Sequence, residues 1–327
     1  MLLKDTRDYQ ILFLGLFLVL GIGTRDWTLH PEFIAVAIAF CLSTQWLLSS
    51  VKGFWSFDNN QEQQPSINLR SALITSLGLS LLLRTDHWIT MALAAVSAIA
   101  SKFFLKIGDK HFFNPANFGI ISALTLTSNA WVSPGQWGEE WWYCLVFVGT
   151  GGLILRKIGR WDTTVAFLGS YSLLEAIRNL WLGWTWDVYW HRLMSGSLLL
   201  FALFMVTDPR SIPNAKIGRV VWAVCIACLT FILRNYFFLS TAVFWSLFAL
   251  APLTIFLDYL WSSPRFSWLG EGRRQEAEGR RQEDDEGDEG EGGDKGEIPT
   301  HNSTRAKCAA SANSTQHSSL STLITEV

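Results

Sequence analysis

Apolar and polar residues alternate along the chain in long blocks. Apolar runs occupy about 9–24, 31–50, 69–84, 87–105, 113–132, 141–156, 161–182, 189–208, 217–234 and 236–259, with short polar loops between them. Such a pattern predicts membrane helices, and ten of them. Several runs fall short of the roughly 20 residues that a perpendicular span needs, so Trp-rich flanks or shielding by neighbours must complete them. From Gly270 the pattern stops. EGRRQE stands at 271–276 and again at 278–283, followed by an acidic, Gly-rich run and a Ser/Thr/Asn-rich end. This composition cannot bury enough apolar surface to offset chain entropy. The expected organisation is a transmembrane domain over 1–262 and a disordered cytoplasmic tail over 263–327.

Loop charges give orientation independently of hydropathy. With the N-terminus inside, cytoplasmic segments hold Lys4 and Arg7; Lys52 and Arg70; Lys102, Lys106 and Lys110; Arg156, Lys157 and Arg160; Arg210, Lys216 and Arg219; and Arg265. The opposite segments hold only Arg25, Arg84, Arg178, Arg192 and Arg234. By the positive-inside rule both termini are cytoplasmic, which requires an even number of spans. Tryptophans at 27, 88, 131, 137, 141, 142, 181, 184, 186 and 190 cluster at proposed outer ends, as interfacial anchors do. No cleavage site follows the first apolar run, which is read as the first membrane helix. Ten spans divide into two five-helix halves, and an odd number per half would invert the second relative to the first. No internal sequence similarity marks such a repeat.

Composition agrees: half of the 327 residues are apolar, with 17 Trp and 22 Phe. The net charge of −2 conceals a division, 19 Lys/Arg against 15 Asp/Glu in 1–268 and 7 against 13 in 269–327. The expected setting is the lipid bilayer of a plasma (inner) membrane, without a nucleic-acid partner. Cys225 and Cys228 have CxxC spacing within VVWAVCIACLTF, where further thiolates or histidines are lacking, so they read as small apolar residues and no metal site is expected. Asn-Ser-Thr triplets at 302–304 and 313–315 fit a glycosylation pattern that a cytoplasmic tail would not expose to the glycosylation machinery. Phosphate-loop, HExxH, nucleophile-elbow and GxGxxG signatures are absent. Gly149, Gly151 and Gly152 fall inside a span, where close helix packing is the expected use.

One segment interrupts the pattern. HFFNPANFG, His111 to Gly119, sits between apolar runs, and Asn114-Pro115 reads as a helix start at membrane depth. Such a break must be shielded by protein or line a cavity. Asn114 is the expected cap, Asn117 lies a turn inside, and Gly119 permits close approach of a backbone or a flat ligand. A helix N-terminus flanked by His111, Lys106 and Lys110 suits an anion. A broken helix tied to its neighbours, without ligand, accounts for the same residues. A second cluster, MVTDPRSIPNAKIGR at 205–219, ends a later span at the same face; Thr207 and Asp208 either cap that end or hydrogen-bond a polar ligand head. Glu175 and Arg178, one turn apart, are expected to neutralise each other, and Asp187 and His191 to form an interfacial pair.

HFFNPANFG followed some ninety residues later by FMVTDPRSIP resembles the membrane-subunit family shared by two systems: the Rnf electron-transport complex, where it is RnfD, and the sodium-pumping NADH:quinone oxidoreductase, where it is NqrB. The resemblance implies a ten-helix fold, a flavin at the membrane subunit and redox-driven electron transfer coupled to cation movement, alongside other electron-transfer subunits. It carries flavin contacts onto Phe113, Asn114, Pro115, Ala116 and Gly119 and onto Thr207, Asp208 and Pro209; His111 and Asn117 join them from the reading above. Family members with covalent flavin mononucleotide attach it to a threonine in an SGAT-like loop. Here the corresponding stretch, TSNAWVSPGQWGEEWWYC, is short and lacks it, so FMN or riboflavin is expected to bind noncovalently. The expected function is a membrane subunit of a redox-driven electron-transport system. A transporter of organic anions or vitamins on the same scaffold, and an assembly protein whose breaks serve packing alone, are the alternatives.

Overall fold

The computed structural model of the chain describes residues 5–24, 30–57, 68–108, 110–133 and 141–266. Trp27, Trp137, the tail beyond Phe266 and its Asn-Ser-Thr triplets lie outside the described residues. The first part of the chain forms α1 (Thr6–Thr24), α2 (Pro31–Phe57), α3 (Leu69–Leu82), α4 (Trp88–Phe104) and α5 (Pro115–Leu126). The second forms α6 (Trp141–Ile158), α7 (Trp161–Leu182), α8 (Trp186–Leu193), α9 (Gly196–Leu200), α10 (Lys216–Asn235), α11 (Ala242–Leu250) and α12 (Leu253–Leu260). A π-helical turn, Phe201–Met205, continues α9.

Two short antiparallel ladders mark the ends of the helices. β1 (Leu83–Thr85) pairs with β4 (Ala130–Val132), and β2 (Lys106–Ile107) pairs with β3 (Lys110–His111). Because α4 and α5 each run between one ladder and the other, the ladders lie at opposite ends, here termed the ladder face (β1–β4) and the hairpin face (β2–β3).

The chain is a mostly helical, polytopic membrane protein by these criteria. α1 from Thr6 to Gly23, α2 from Pro31 to Val51, and α10 are long and apolar enough to cross a membrane, or five spans if α8–α9 and α11–α12 each count as one bent span. The bends are 49° and 48°. The sequence expects unbroken spans at 189–208 and 236–259, and both are broken. The first bends at Ser195-Gly196, and the second at Pro252, which has no amide hydrogen to continue the helix. α3, α4 and α5 hold 14, 17 and 12 residues, shorter than a perpendicular span needs.

Packing repeats along the chain. α4 packs against α2 and α5, and α10 packs against α7 and α11; α5 and α11 meet in the middle. Small residues set the closest approaches. A Cβ on Gly119 would lie 2.5 Å from the carbonyl oxygen of Ala94 and 2.9 Å from Cβ of Ala98, so α5 seats directly on α4. Gly151 likewise brings α6 onto Leu203 of the π turn, where a Cβ would come within 2.9 Å, whereas Gly149 and Gly152 have open space beside them. The interior is filled by Phe17, Leu79, Ile120, Phe167, Phe201, Trp222 and Phe244. Val19, Ile89, Val165, Leu180 and Tyr259 face outward, as they do where the surround is itself apolar.

Charged residues in the helices pair over long sequence distances. On the hairpin face Asp162 Oδ2 of α7 accepts from Arg219 Nε (2.8 Å) and pairs with its Nη2 (2.7 Å), both side chains almost fully buried. Towards the ladder face Glu175 does not pair with Arg178, contrary to the sequence expectation. Its carboxylate, in a side chain 2% exposed, accepts from Arg192 Nη1 (3.0 Å), Asn235 Nδ2 (2.8 Å) and Tyr171 OH (3.0 Å). Arg178 lies over the ring of Trp184 instead, 4.6 Å from its centroid. Spacing along one helix suggested the local pair. The bend between α8 and α9 places Arg192 within reach of Glu175, and a buried carboxylate demands the fuller set of hydrogen bonds found here.

Gly119→Ala should therefore destabilise the protein by about 1–3 kcal/mol, because the atom it would strike first is backbone and cannot rotate away. Gly152→Ala, with nothing within 4 Å, should be neutral or mildly stabilising. Thermal unfolding of the two variants in detergent distinguishes these outcomes.

Candidate functional site

The interrupted segment is built as its composition requires. Asn114 is extended (φ −66°, ψ 124°) and caps α5, its Oδ1 accepting from the amide of Asn117 at 3.0 Å, with Pro115 in the first turn. The other half of the amide reaches across: Asn114 Nδ2 donates to the carbonyl of Met205 at 3.2 Å, at the end of the π turn. The two sequence motifs are thus joined by a hydrogen bond. Asn117, 1% exposed, performs the same service towards α11, donating to the carbonyl of Phe244 at 3.1 Å.

Beyond Met205 the chain turns tightly. Asp208 Oδ1 accepts from the amide of Arg210 (3.3 Å) and Oδ2 from Ser211 Oγ (3.1 Å), an Asx-type turn that fixes the TDPR loop locally. The loop is then fastened from outside. Asp258 of α12 accepts from the Asn214 amide (2.7 Å), from Asn214 Nδ2 (3.1 Å) and from Lys110 Nζ. Lys110 also donates to the carbonyl of Ile212 (2.6 Å), and Arg219 Nη1 to that of Asn214 (2.6 Å). Burial pulls the Lys110 ammonium below its usual pKa, with the hydrogen bond and charge of Asp258 acting against that pull.

A cleft of about 100 Å³ opens between these motifs and helices α1 and α3, room for on the order of seven to ten waters. Its polar wall contains Arg7, Ser71, Thr75, His111, Asp208 and Arg210; its apolar wall contains Leu81, Leu82, Leu200 and Phe204. From Ser71 to Leu82 the cleft follows α3 for about three turns, polar at the hairpin end and apolar towards the ladder end. Below the polar wall Lys102 of α4 donates to Thr75 Oγ1 (2.9 Å) and to Ser71 Oγ and carbonyl (both 3.2 Å). Those two hydroxyls are therefore backed by the Lys102 side-chain nitrogen.

The structure brings six of the sequence-derived residues to the cleft: His111, Asn114, Pro115, Ala116, Asp208 and Pro209. Four are elsewhere. Phe113 stacks on Phe248, with centroids 5.0 Å apart. Asn117 is committed to α11, Gly119 to α4, and Thr207 Oγ1 donates to the Leu203 carbonyl one turn back (2.8 Å). Sequence reasoning missed α1 and α3 entirely. Ser71, Thr75 and Gly78, small residues at one-turn spacing on an apolar helix, were the available signal for α3. Arg7 and Gln10 offered none. The Asp187–His191 pair does not form among the described ion pairs; Asp187 stands exposed in the first turn of α8.

His111 is the most strongly perturbed group at the cleft. It is 8% exposed and its Nδ1 has no hydrogen-bond partner. Burial pushes its pKa down to about 4; Asp208 acts in the opposite sense, while Arg210 and Lys102 reinforce the fall. The ring is neutral at physiological pH, with its Nδ1 buried beneath the cleft surface.

A mostly helical membrane protein with a half-polar cleft between interrupted helices is the class that these features define. Comparison with known proteins narrows it. Residues 125–266 match the model of the NQR2, RnfD, RnfE family, a stretch that contains TDPR and begins after NPAN. The D component of the ion-translocating oxidoreductase complex of Alcanivorax borkumensis is 31% identical over 155 residues, 45% of this chain and 43% of that protein. The corresponding D components of Vibrio atlanticus and Vibrio vulnificus are 33% identical over 115 residues and 35% over 103, covering 32% and 28% of their lengths. The match thus spans less than half the length of these relatives. It bears out the family resemblance: residues 125–266 are similar to the NQR2, RnfD, RnfE family.

The depressed His111 pKa fixes a sign for stability against pH. The unfolded chain takes up a proton near pH 6.5 and the folded one only near 4, so stability is fully present above about 6.5 and is lost as pH falls through that window. The loss approaches on the order of 3 kcal/mol. His111→Gln should flatten thermal stability between pH 6.5 and 4, and an unchanged pH profile would show that other groups carry the dependence.

Proposed function

We propose that this chain is a membrane subunit of a redox-driven, ion-translocating electron-transport system and that its hairpin-face cleft holds a flavin, FMN or riboflavin, noncovalently. The observation that carries the reading is the convergence of NPA and TDP on one cleft, joined by the Asn114–Met205 hydrogen bond. The relatives, named as components of an ion-translocating oxidoreductase complex, support the same system and make other electron-transfer subunits its expected partners.

The residues suit a flavin by their chemistry. A flat ring with one edge of carbonyls and ring nitrogens needs an apolar slot and a polar rim, which Leu82, Leu200 and Phe204 and then Arg210 and His111 provide. A flavin, when bound, would supply the capacity to accept and pass on electrons. The protein's part is to bind and orient. Asn114 spends its amide on α5 and Met205, so it shapes the rim rather than touching ligand through that group. His111 offers a neutral ring nitrogen, Arg210 favours negative charge, and the leucines exclude water.

The reading includes ten passages in two inverted five-helix halves. Counting α8, α9 and the π turn as one bent passage and α11 with α12 as another gives ten, and the packing of α2, α4 and α5 recurs in α7, α10 and α11. Lys102, Lys106, Lys110, Arg156, Lys157, Arg160, Arg210, Lys216 and Arg219 all fall at the hairpin face. That charge bias favours a cytoplasmic hairpin face, with both termini on that side.

Purified protein should contain, or take up, close to one flavin per chain, read by absorbance and by mass after denaturing release. Asp208→Ala and His111→Ala should weaken uptake about tenfold or more, equivalent to about 1.4 kcal/mol. Protein that neither contains nor binds flavin would remove the reading; saturable uptake of an organic anion into proteoliposomes by that same protein would establish a transporter.

A further inference from the structure

A second cavity, of about 130 Å³, lies at the ladder face. Its wall adjoins the far end of the cleft, the amide of Ser133 donating to the carbonyl of Leu82 at 2.8 Å. Its polar lining consists of Ser133, Ser195, Ser197, Arg234, Ser240 and Thr241. That is one cation and five hydroxyls, with no carboxylate among the lining residues. Arg234 Nη1 donates to Tyr171 OH at 3.1 Å, and Arg234 forms no ion pair with a described carboxylate. The carboxylate closest to it through bonds is Glu175, beyond Tyr171, whose oxygens are already taken by Arg192, Asn235 and Tyr171 itself. Glu175, Arg192 and Arg234 together retain one positive charge.

A half-buried guanidinium without a carboxylate partner is costly beside apolar surroundings, and a negative group held beside it, within reach of the Ser240 and Thr241 hydroxyls, would offset that cost. We propose that this cavity is an anion-binding site, taking a phosphate-like oxyanion between the Arg234 guanidinium and the serine and threonine hydroxyls. Planar guanidinium recognition of two oxygens suits phosphate better than a halide. The position has a counterpart in the fold. The cleft lies at the start of α5, and this cavity lies at the start of α11, whose residues Ala242, Val243 and Phe244 line it. Both cavities thus adjoin the start of a helix, α5 for the cleft and α11 for this one. The proposal stands whether or not the cleft binds flavin.

The phosphate could be free or the headgroup of a lipid, and the experiment separates the two. The full chain in a neutral detergent is titrated with inorganic phosphate at constant ionic strength, with thermal unfolding followed by tryptophan fluorescence. It is then placed in nanodiscs of phosphatidylcholine with and without phosphatidylglycerol. For the wild type, Tm should rise saturably with phosphate, or with phosphatidylglycerol if the source is lipid. Arg234→Gln should need at least about tenfold more phosphate or lose the shift; Arg234→Lys should keep part of it, and Arg178→Gln, whose side chain stacks on Trp184 away from the cavity, should keep it all. If Arg234→Gln does not fold, Ser240→Ala combined with Thr241→Val is read in its place. A wild type indifferent to both phosphate and phosphatidylglycerol, or a shift of equal size in the cavity variants, overturns the proposal.

Discussion

Every carbonyl released by a broken helix in an apolar surround must find a donor, and this fold is organised by how it finds them. The donors come from side chains on neighbouring elements. Asn114 reaches Met205 at the end of the π turn, and Thr164 Oγ1 reaches Ala202 within it at 2.8 Å. Trp222 Nε1 reaches Leu250 at 2.9 Å, just before the bend at Pro252, and Asn179 Nδ2 reaches Trp184 and Thr185 beyond the end of α7. The first three of these bonds cross between distant elements, so there satisfying the backbone and assembling the tertiary structure are one event. Breaks that would be liabilities in an isolated helix become the points where the helices are joined.

Electrostatics divides the molecule by depth. The buried pairs Asp162–Arg219 and Glu175–Arg192 stand near opposite ends of α7, each supported by further hydrogen bonds that a bare ion pair would lack. Between them α7 presents apolar residues and hydroxyls only. The hairpin face carries the denser charge, organised around Asp258 and Asp208, and the cleft opens there. The ladder face holds fewer charges but leaves Arg234 without a carboxylate.

The sequence made legible whatever depended on local rules. A membrane-spanning helical fold followed from hydropathy, the start of α5 from Asn-Pro, and the approach of NPA and TDP from loop charge placing both at one face. What escaped it depended on docking between distant segments. Phe113 looked like a ligand contact and is instead half of a stack with Phe248, because no local rule reports a partner 135 residues away. Arg192 displaced Arg178 as the partner of Glu175 for the same reason, with a bend in the chain that hydropathy averaged away. Arg7 and Gln10 became cleft residues only because α1 lies along α3, a neighbour relation that periodicity does not encode.

Asp258 gives the cleft an unequal pair of walls. By holding Lys110 and Asn214 together it clamps the hairpin and the TDPR loop to the last helix, and Arg219 with Asp162 carries the clamp on to α7. The facing wall is α1, whose ionic tie to α3 at this end is the part-exposed pair Asp8–Arg70, of the kind that contributes little. A ligand in the cleft would thus lie between a wall held by buried ion pairs and a wall held by the apolar packing of α1, through Leu14, Phe17 and Leu18, into the core.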